Sequence, residues 1–154
     1  MWVARRSLSK PTWPGMLDQM VAGGQPHGLS PRENVVKECS EEAGIPDELA
    51  AKARAVGAVS YASVLEDGSA KRDVLFTYDL ELPLEFEPVA VDGEVDCFER
   101  WPLERVAETL LTSGAFKPNC SLVCADFLVR HGFWTPEQSG YLELVRRLRS
   151  GYCA

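Results

Sequence analysis

GGQPHGLSPRENVVKECSEEAGI, residues 23–45, carries the local signals that decide how this part of the chain folds. Ser30 can serve as the N-cap of a helix, and Glu33, three residues later, completes a capping box. Gly44 suits the position just after a last helical turn. The stretch therefore predicts a helix over residues 31–43, preceded by a loop that starts with paired glycines.

Three glutamates share one edge of this predicted helix. At about 3.6 residues per turn, Glu38, Glu41 and Glu42 project within an arc of about 100°. Carboxylates near the C-terminal end of a helix oppose its dipole and repel one another, so this edge is either fully solvated or faces a cation. Carboxylate oxygens at one-turn spacing suit Mg²⁺ or Mn²⁺. Gly23 permits a close backbone approach, and its carbonyl is a further candidate ligand.

The composition is that of one globular domain covering residues 1–154. Hydrophobic residues make up 45% of the chain and charged residues 25%. The formal net charge of −7 argues against a general affinity for nucleic acid. No apolar run approaches the roughly 20 residues of a membrane span, so neither nucleic acid nor membrane is expected as a partner. The arginine pairs at 5–6 and 146–147 are interpreted as solvated surface.

Five cysteines form neither a CxxC pair nor a cluster with histidine, which argues against a zinc site. They are interpreted as buried free thiols, which indicates a reducing compartment. The basic start, MWVARRSLSK, is interpreted as a strand and its turn rather than as a transit peptide. We therefore expect a cytoplasmic location and leave an organelle open. The cysteines are Cys39, Cys97, Cys120, Cys124 and Cys153.

Strand-like and helix-like segments alternate along the chain, which predicts an α+β domain with helices at its end. Apolar alternation and turn residues predict the strands, and capping residues with helical periodicity predict the helices. The predicted strands cover 1–5, 16–24, a hairpin over 56–82 with its turn at 66–69, and 94–102. The predicted helices cover 31–43, 46–55, 102–114, 119–132 and 135–150.

Residues 23–45 resemble the Nudix box, in which a glycine, five residues, a glutamate and seven residues precede Arg-Glu-apolar-x-Glu-Glu-x-Gly-apolar. Gly23 takes the first place, and ECSEEAGI, starting at Glu38, matches the second half in register. Leu29 replaces the first glutamate, and Lys37 replaces the arginine. In Nudix proteins those two residues pair, so their joint replacement leaves no orphaned charge. The resemblance implies an α/β/α sandwich with a mixed sheet.

A closer resemblance extends over nearly the whole chain. MWVARRSLSKPTWPGMLDQMVAGG, DGEVDCFERWPLERV and FKPNCSLVCADFLVRHG are similar to Nudix hydrolases related to the domain fused to thiamine pyrophosphokinase in some fungi. The boxes of that group share the altered glutamate and the lysine. The group is linked to hydrolysis of thiamine diphosphate and of its damaged oxy- and oxo-forms. The resemblance therefore implies a metal-dependent hydrolase that releases phosphate from a small organic diphosphate.

That group also carries a longer region before the position of Met1, which includes the opening strand of the sheet. The chain is therefore expected to be shortened at its N-terminus and to lack this strand. The strand predicted at residues 1–5 should then leave a sheet edge or apolar surface exposed near Trp2. Exposed edges pair with other chains, so self-association is expected.

The box positions imply that Glu38, Glu41 and Glu42 bind the metal, together with the Gly23 carbonyl. One glutamate orients or deprotonates the attacking water, and the candidates for catalysis are Glu38, Glu41 and Glu94. Glu94 comes from a separate loop, and a simple turn acid after the preceding Asp-Gly explains it equally well.

The candidate substrate contacts lie outside the helix. Trp13, in the sequence TWPG, could stack on a heteroaromatic ring, and packing under a loop explains it equally well. Lys10 could reach a phosphate. Gly24 would let the backbone approach the substrate closely.

Two other functions remain open at this point. An isopentenyl-diphosphate isomerase shares the Nudix fold, but such enzymes use a cysteine before the box, and Cys39 is the first cysteine of this chain. A non-catalytic binding protein would be consistent with Leu29, with Lys37 and with a missing opening strand. A metal-dependent phosphate-release assay separates the hydrolase from both.

Overall fold

The structure is a computed structural model, and it describes residues 1–64 and 67–151. The predicted hairpin turn at 66–69 lies partly outside the described residues, and Cys153 lies wholly outside them. The elements in chain order are β1 (Trp2–Arg6), β2 (Leu17–Gln19), α1 (Pro31–Ala43), α2 (Asp47–Ala50), β3 (Arg54–Val64), β4 (Ala70–Asp79), β5 (Val95–Arg100), α3 (Leu103–Thr112), α4 (Pro118–Arg130) and α5 (Tyr141–Arg147).

The larger sheet has β1 at its centre, with β2 and β5 paired antiparallel on its two sides. The segment 115–117 runs parallel to β2 on the far side. The Leu17 N–H donates to the Ala115 carbonyl at 2.9 Å, and the Lys117 N–H donates to the Leu17 carbonyl at 2.9 Å. The mixed sheet that the resemblance implied is therefore present.

β3 and β4 form a separate antiparallel ribbon. The β3 edge of the ribbon is joined to the C-terminal segment, because the Ser60 N–H donates to the Leu148 carbonyl and the Gly151 N–H donates to the Ser60 carbonyl. The predicted hairpin is confirmed in its two strands. The ribbon is thereby tied to the rest of the domain through the residues that follow α5.

The expected open edge at the start of the chain is wrong. β1 is the central strand of the larger sheet and is hydrogen-bonded on both sides. Trp2 is partly buried, and the Arg100 guanidinium lies 5.9 Å from the centroid of its ring. Self-association remains a prediction, but an exposed edge at β1 no longer supports it.

The helix α1 begins and ends where its capping residues predict. The Glu33 N–H donates to the Ser30 hydroxyl at 3.2 Å, and the Ser30 N–H donates to the Glu33 carboxylate at 2.7 Å. Gly44 adopts a φ of 61°, the left-handed conformation that a glycine takes without strain. The predicted bounds of 31–43 are confirmed.

Three other predicted elements are shorter than expected. The predicted strand at 16–24 pairs only over Leu17–Gln19, because the following loop turns towards α1. The predicted helix at 46–55 stops at Ala50, since Arg54 already pairs with Asp79 in the ribbon. The predicted helix at 135–150 reduces to α5, because Gly140 adopts a φ of 83° just before it.

Two hydrophobic clusters lie on opposite faces of the larger sheet, which gives the α/β/α layering. One lies between the sheet and the helices α3 and α4, and it includes Val3, Leu17 and Leu128. The other packs α1 and α2 around Ala43 and Ile45. Among the described cysteines, all of which are free thiols, Cys39, Cys120 and Cys124 are buried as expected, whereas Cys97 is exposed.

The two arginine pairs differ in their surroundings. Arg146 and Arg147 are exposed and pair with Glu143 on the same helix, as solvated side chains do. Arg6 is buried, so the interpretation of Arg6 as solvated surface is wrong. Its guanidinium is paired with Asp18 and with backbone carbonyls, which is what allows a charge to be buried. Among the described residues, no helix is long and apolar enough to cross a membrane.

A buried ionic network joins the ribbon, α4 and the end of the chain. Arg130 donates to Asp126 at 2.7 Å and to Asp79 at 2.6 and 2.9 Å. Asp126 is fully buried and also accepts from Arg149 at 2.9 Å. A charge that is desolvated and then loses its partner is costly, so Arg130 holds these elements together.

We expect Arg130→Met to lower the free energy of unfolding by about 3 kcal/mol, because it leaves the buried Asp126 and the partly buried Asp79 carboxylates short of their shared partner. The matched control is Arg147→Met, whose side chain is 71% exposed. The control should change stability by less than about 0.5 kcal/mol. Urea unfolding of both variants measures the difference. Equal effects of the two substitutions would contradict the structural role of Arg130.

Candidate metal centre

An acidic cleft of about 330 Å³ lies where three segments meet. The loop after β2 forms one wall, the C-terminal half of α1 forms the second, and the loop before β5 forms the third. Seven of the residues singled out in the sequence line it together, although they come from three separate parts of the chain. The lining residues are Ala22, Gly23, Gly24, Lys37, Glu38, Glu41, Glu42, Asp92 and Glu94.

Glu42 is the innermost carboxylate of the cleft and is only 7% exposed. The Ala22 N–H donates to it at 3.0 Å. Burial raises the pKa of Glu42 from 4.5 to about 8, and the negative charges of Glu38, Asp18 and Asp92 add to this rise against the effect of the Ala22 hydrogen bond. A carboxylate in these surroundings is stabilised in its ionised form by a cation.

Asp92 and Glu94 place two more carboxylates beside Glu42. One oxygen from each of the three residues lies within 4.8 Å of the other two. The Glu94 N–H donates to the Asp92 side chain at 2.8 Å, so the turn expected at this point also fixes the spacing of the two acids. Hard carboxylate oxygens converging in this way fit a divalent cation such as Mg²⁺ or Mn²⁺.

Asp92 is a candidate ligand that the sequence analysis missed. The signal was present in the sequence DGE, where an aspartate begins a tight turn and a second acid ends it. The tighter group of three carboxylates therefore contains one acid of α1 and two acids of the opposite loop. Glu38 and Glu41, which the box positions also assign to the metal, line the same cleft but are not part of that group.

Glu38 packs directly against the backbone of Gly23. A Cβ atom added to Gly23 would lie 2.0 Å from the Glu38 Cδ atom, so no other residue fits without moving that side chain. Gly24 has open space around the same position, and its carbonyl accepts a hydrogen bond from the buried Asn34 side chain at 3.1 Å. The two glycines therefore have different roles. The first makes room for a carboxylate, and the second ties the loop to α1.

Lys37, which stands in place of the arginine of the box, binds the two outer glutamates. Its ammonium donates to Glu38 at 3.1 Å and to Glu41 at 2.5 Å. The hydrogen bonds to Glu41 and then to Glu38 raise the pKa of Lys37. Leu29, in place of the first glutamate, is partly exposed. The positive charge is thus retained in the cleft but has different partners.

Of the three predicted substrate contacts outside the helix, Gly24 lines the cleft, whereas Lys10 and Trp13 do not. The Lys10 ammonium is paired with the Glu94 carboxylate, so it has to give up part of this ion pair to bind a phosphate. Trp13 lies on the same loop as Lys10 and is 48% exposed, so it does not pack under the loop. Its φ of 54° is unusual for a large side chain. The loop borders the cleft through Lys10 and Glu94.

These features define a class of protein: a mixed α+β domain of three layers in which a capped helix presents glutamates to an opposing acidic loop. The NUDIX domain family model matches residues 1–120, and the chain belongs to this family. The resemblance of residues 23–45 to the Nudix box is therefore confirmed at the level of the family.

Three curated proteins are similar to this chain in sequence. The chain is 56% identical to Nudix hydrolase 20, chloroplastic, of Arabidopsis thaliana, covering 100% of this chain and 41% of that protein. It is 54% identical to Nudix hydrolase 24, chloroplastic, of the same plant, covering 100% and 42%. It is 40% identical to the uncharacterized protein YJR142W of Saccharomyces cerevisiae, covering 96% and 46%. The chain thus spans less than half the length of each.

One solved structure supports the fold. The crystal structure of DR0079 from Deinococcus radiodurans superposes with a TM-score of 0.57 at 22% sequence identity, covering 79% of this chain and 71% of that protein. A similarity at this level of identity shows the shared fold alone.

We expect Gly23→Ala to weaken Mn²⁺ binding by at least tenfold, because the added methyl group displaces the Glu38 carboxylate from the cleft. Gly24→Ala is the matched control, since nothing lies within 4 Å of the added atom. Isothermal titration of Mn²⁺ into each purified variant measures the affinities. An unchanged affinity in Gly23→Ala would show that Glu38 does not contribute to the site.

Glu42 should make the stability of the metal-free protein depend on pH. Its pKa is about 8 in the folded chain and about 4.5 in an unfolded one, so the folded state holds the extra proton between these values. The free energy of unfolding should therefore fall as pH rises from about 5 to about 8, by at most about 1.4 kcal/mol per pH unit.

The measurement is urea unfolding in chelator across this pH range. Glu42→Gln should flatten the dependence, because the amide keeps the shape and the hydrogen bond from Ala22 but does not ionise. Glu48→Gln, at an exposed position of α2, should retain it. If the Glu42→Gln protein shows the same pH dependence as the wild type, the buried carboxylate is not its source.

Proposed function

We propose that the chain is a Mg²⁺- or Mn²⁺-dependent hydrolase that cleaves the diphosphate linkage of a small organic diphosphate. The substrate class that we favour is thiamine diphosphate and its damaged oxy- and oxo-forms. The observation that carries the proposal is the convergence of the Glu42, Asp92 and Glu94 carboxylates within 4.8 Å, on a helix and loop of a NUDIX family domain. A diphosphate cannot approach such a cluster without a cation between them.

The proposed ligands are Glu42, Asp92 and Glu94, together with Glu38 and Glu41, which line the same cleft. When bound, a divalent cation neutralises charge on the phosphate oxygens and lowers the pKa of a water held there. Gly23 lines the same cleft, and its carbonyl completes the proposed set of oxygen donors.

The chain itself supplies the base. We assign this role to Glu41, with Glu38 as the alternative, because Glu41 is the most exposed carboxylate of α1 in the cleft and can meet a water. It accepts a proton from the water as the oxygen attacks phosphorus. The bridging P–O bond then breaks, and inorganic phosphate leaves from the organic monophosphate. General-base help of this kind contributes about 10²–10⁴-fold to a rate.

In this proposal two lysines, Lys10 and Lys37, interact with the charge of the phosphate. Lys37 borders the cleft from α1, and Lys10 reaches it through Glu94. Both ammonium groups are paired with carboxylates, so each can exchange part of that pairing for a phosphate oxygen. The cleft and its border therefore combine carboxylate oxygens that can bind a metal cation with ammonium groups that can bind the phosphate.

The choice of substrate rests on the resemblance to the thiamine-related group and on the exposed ring of Trp13. The names of the two plant relatives support hydrolysis in general, because both are called Nudix hydrolases. The same names place those proteins in the chloroplast, so we propose an organelle as the location in preference to the cytoplasm expected from the thiols. A small-molecule substrate and no nucleic-acid partner complete the proposal.

The proposal is tested by phosphate release from a panel of compounds with Mg²⁺ or Mn²⁺. The panel holds thiamine diphosphate, its oxy-form, nucleoside diphosphates and triphosphates, and a nucleotide sugar. We expect phosphate and the monophosphate from the thiamine compounds, faster from the damaged form. Much faster cleavage of a nucleoside diphosphate derivative would overturn the substrate class but not the hydrolase. No cleavage of any compound, with Mn²⁺ still bound, would favour a binding protein or an isomerase.

Glu41→Gln and Glu42→Gln should each lower kcat by about 10²-fold or more, because each substitution removes a charge and keeps the shape. Glu48→Gln is the matched control, since it carries the same change on the exposed side of α2. Circular dichroism checks that all three proteins are folded. Wild-type turnover in both Glu41→Gln and Glu42→Gln would remove the assignment of these glutamates to the site.

A further inference from the structure

The apex of the loop of residues 7–16, here called the Trp13 loop, is bound by a buried arginine side chain. Arg6, only 8% exposed, ends β1 just before the loop. Its Nε donates to the Trp13 carbonyl at 3.0 Å, and its Nη2 donates to the Thr12 carbonyl at 2.9 Å. Its Nη1 donates to the Asp18 carboxylate, on β2, at 3.1 Å. One guanidinium thus fixes the apex of the loop to both strands that the loop connects.

This arrangement holds Trp13 in a conformation that the residue rarely adopts. Its φ of 54° lies in the left-handed region, where a large side chain is disfavoured and where the chain stays only if its surroundings impose it. The two carbonyls bound by Arg6 flank the N–Cα bond of Trp13 whose rotation is φ, so these hydrogen bonds stabilise this conformation. The indole itself stays half exposed instead of packing into either hydrophobic cluster.

The base of the same loop is joined to the acidic cleft. The Ser7 N–H donates to the Glu94 carbonyl at 2.9 Å, and the Lys10 ammonium pairs with the Glu94 carboxylate. Lys10 and Trp13 are three residues apart, so their Cα atoms are separated by at most about 11 Å. The loop that carries the exposed ring is therefore tied at its base to the Glu94 wall of the cleft.

We propose that Arg6 is a positioning residue that presents Trp13 as a stacking surface for the flat ring of an organic diphosphate. The inference rests on the proposed function, since it assumes that the phosphate end of a ligand binds at the acidic cleft. The inference adds a residue that recognises the organic part of the ligand, which the acidic cleft does not contact. An exposed aromatic face accepts any planar ring, and a ring already fixed in place loses little conformational freedom when the ligand binds.

The proposal explains why an arginine is buried here at all. A lysine could neutralise Asp18, but it cannot donate in three fixed directions to one carboxylate and two carbonyls. The planar guanidinium therefore fixes the orientation of the loop apex as well as its distance from β1 and β2. Arg6→Lys should therefore keep the charge and the fold and lose the orientation of Trp13.

The first experiment tests the ring. Trp13→Ala should raise the KM for thiamine diphosphate about tenfold with kcat within twofold, because stacking is lost equally in the bound and transition states. Trp13→Phe should restore most of the affinity. The KM for isopentenyl diphosphate or for inorganic diphosphate, where the wild type turns it over, should stay within twofold, because neither carries a ring. Leu111→Ala, an exposed apolar residue on α3, is the control and should change nothing.

The second experiment tests whether Arg6 acts through Trp13. Arg6→Lys alone should raise the KM for thiamine diphosphate about as much as Trp13→Ala does. Added to Trp13→Ala, it should have no further effect, because the side chain that it positions is already gone. The Mn²⁺ affinity should be unchanged. Additive effects of the two substitutions on the KM, or a loss of Mn²⁺ affinity, would overturn the positioning role.

Two further measurements keep the test informative. If Arg6→Lys does not fold, Gly15→Ala distorts the loop from its other end, because Gly15 has a φ of 70° and an added Cβ would lie 3.0 Å from Leu8. It should give the same ring-specific rise in KM.

If the wild type hydrolyses no diphosphate, calorimetry with thiamine monophosphate and with AMP tests ring binding directly. Binding that Trp13→Ala weakens about tenfold supports the inference, and no binding of either compound, or binding that the substitution leaves unchanged, overturns it.

Discussion

Glu42 is a buried carboxyl group that lies within 4.8 Å of two other carboxylates, and burial together with nearby negative charge disfavours its ionised form. The surrounding parts of the fold hold the three acids together in spite of this cost. Caps at both ends fix α1, the second hydrophobic cluster holds its inner face, and the Ala22 N–H points at the Glu42 carboxylate. On the opposite wall, a tight turn and the strand β5 fix the loop that bears Asp92 and Glu94.

Lys37 shows how the altered box can still be compatible with such a site. In the Nudix pattern the arginine at this position pairs with the first glutamate of the box, and here neither residue is present. The lysine instead bridges Glu38 and Glu41, so the outer rim of the cleft is partly neutralised by the helix itself. A compact, mobile ammonium suits this task better than a planar guanidinium, because it can follow either carboxylate.

The sequence predicts those features that depend on neighbours along the chain. The bounds of α1 follow from Ser30, Glu33 and Gly44, and the crowded edge of glutamates follows from helical geometry. Features made by distant segments are harder to predict. Asp92 reads as an ordinary turn residue until the fold brings it to Glu42, and nothing near Arg6 in the sequence indicates that Asp18 and two loop carbonyls will surround it. The short length of β2 has the same origin, since the contact of Ala22 with α1 ends the strand.

The family match ends at residue 120, but the folding unit extends further. Leu128 and Leu148, which come later, are fully buried, and the segment 115–117 that completes the sheet leads directly into α4. A piece of the chain cut at the end of the match would leave Val3 and Leu17 facing water where α4 now covers them. The end of the family match is thus not the end of the packed core: residues 121–151 supply buried side chains to it, and the two plant relatives match the chain over its whole length.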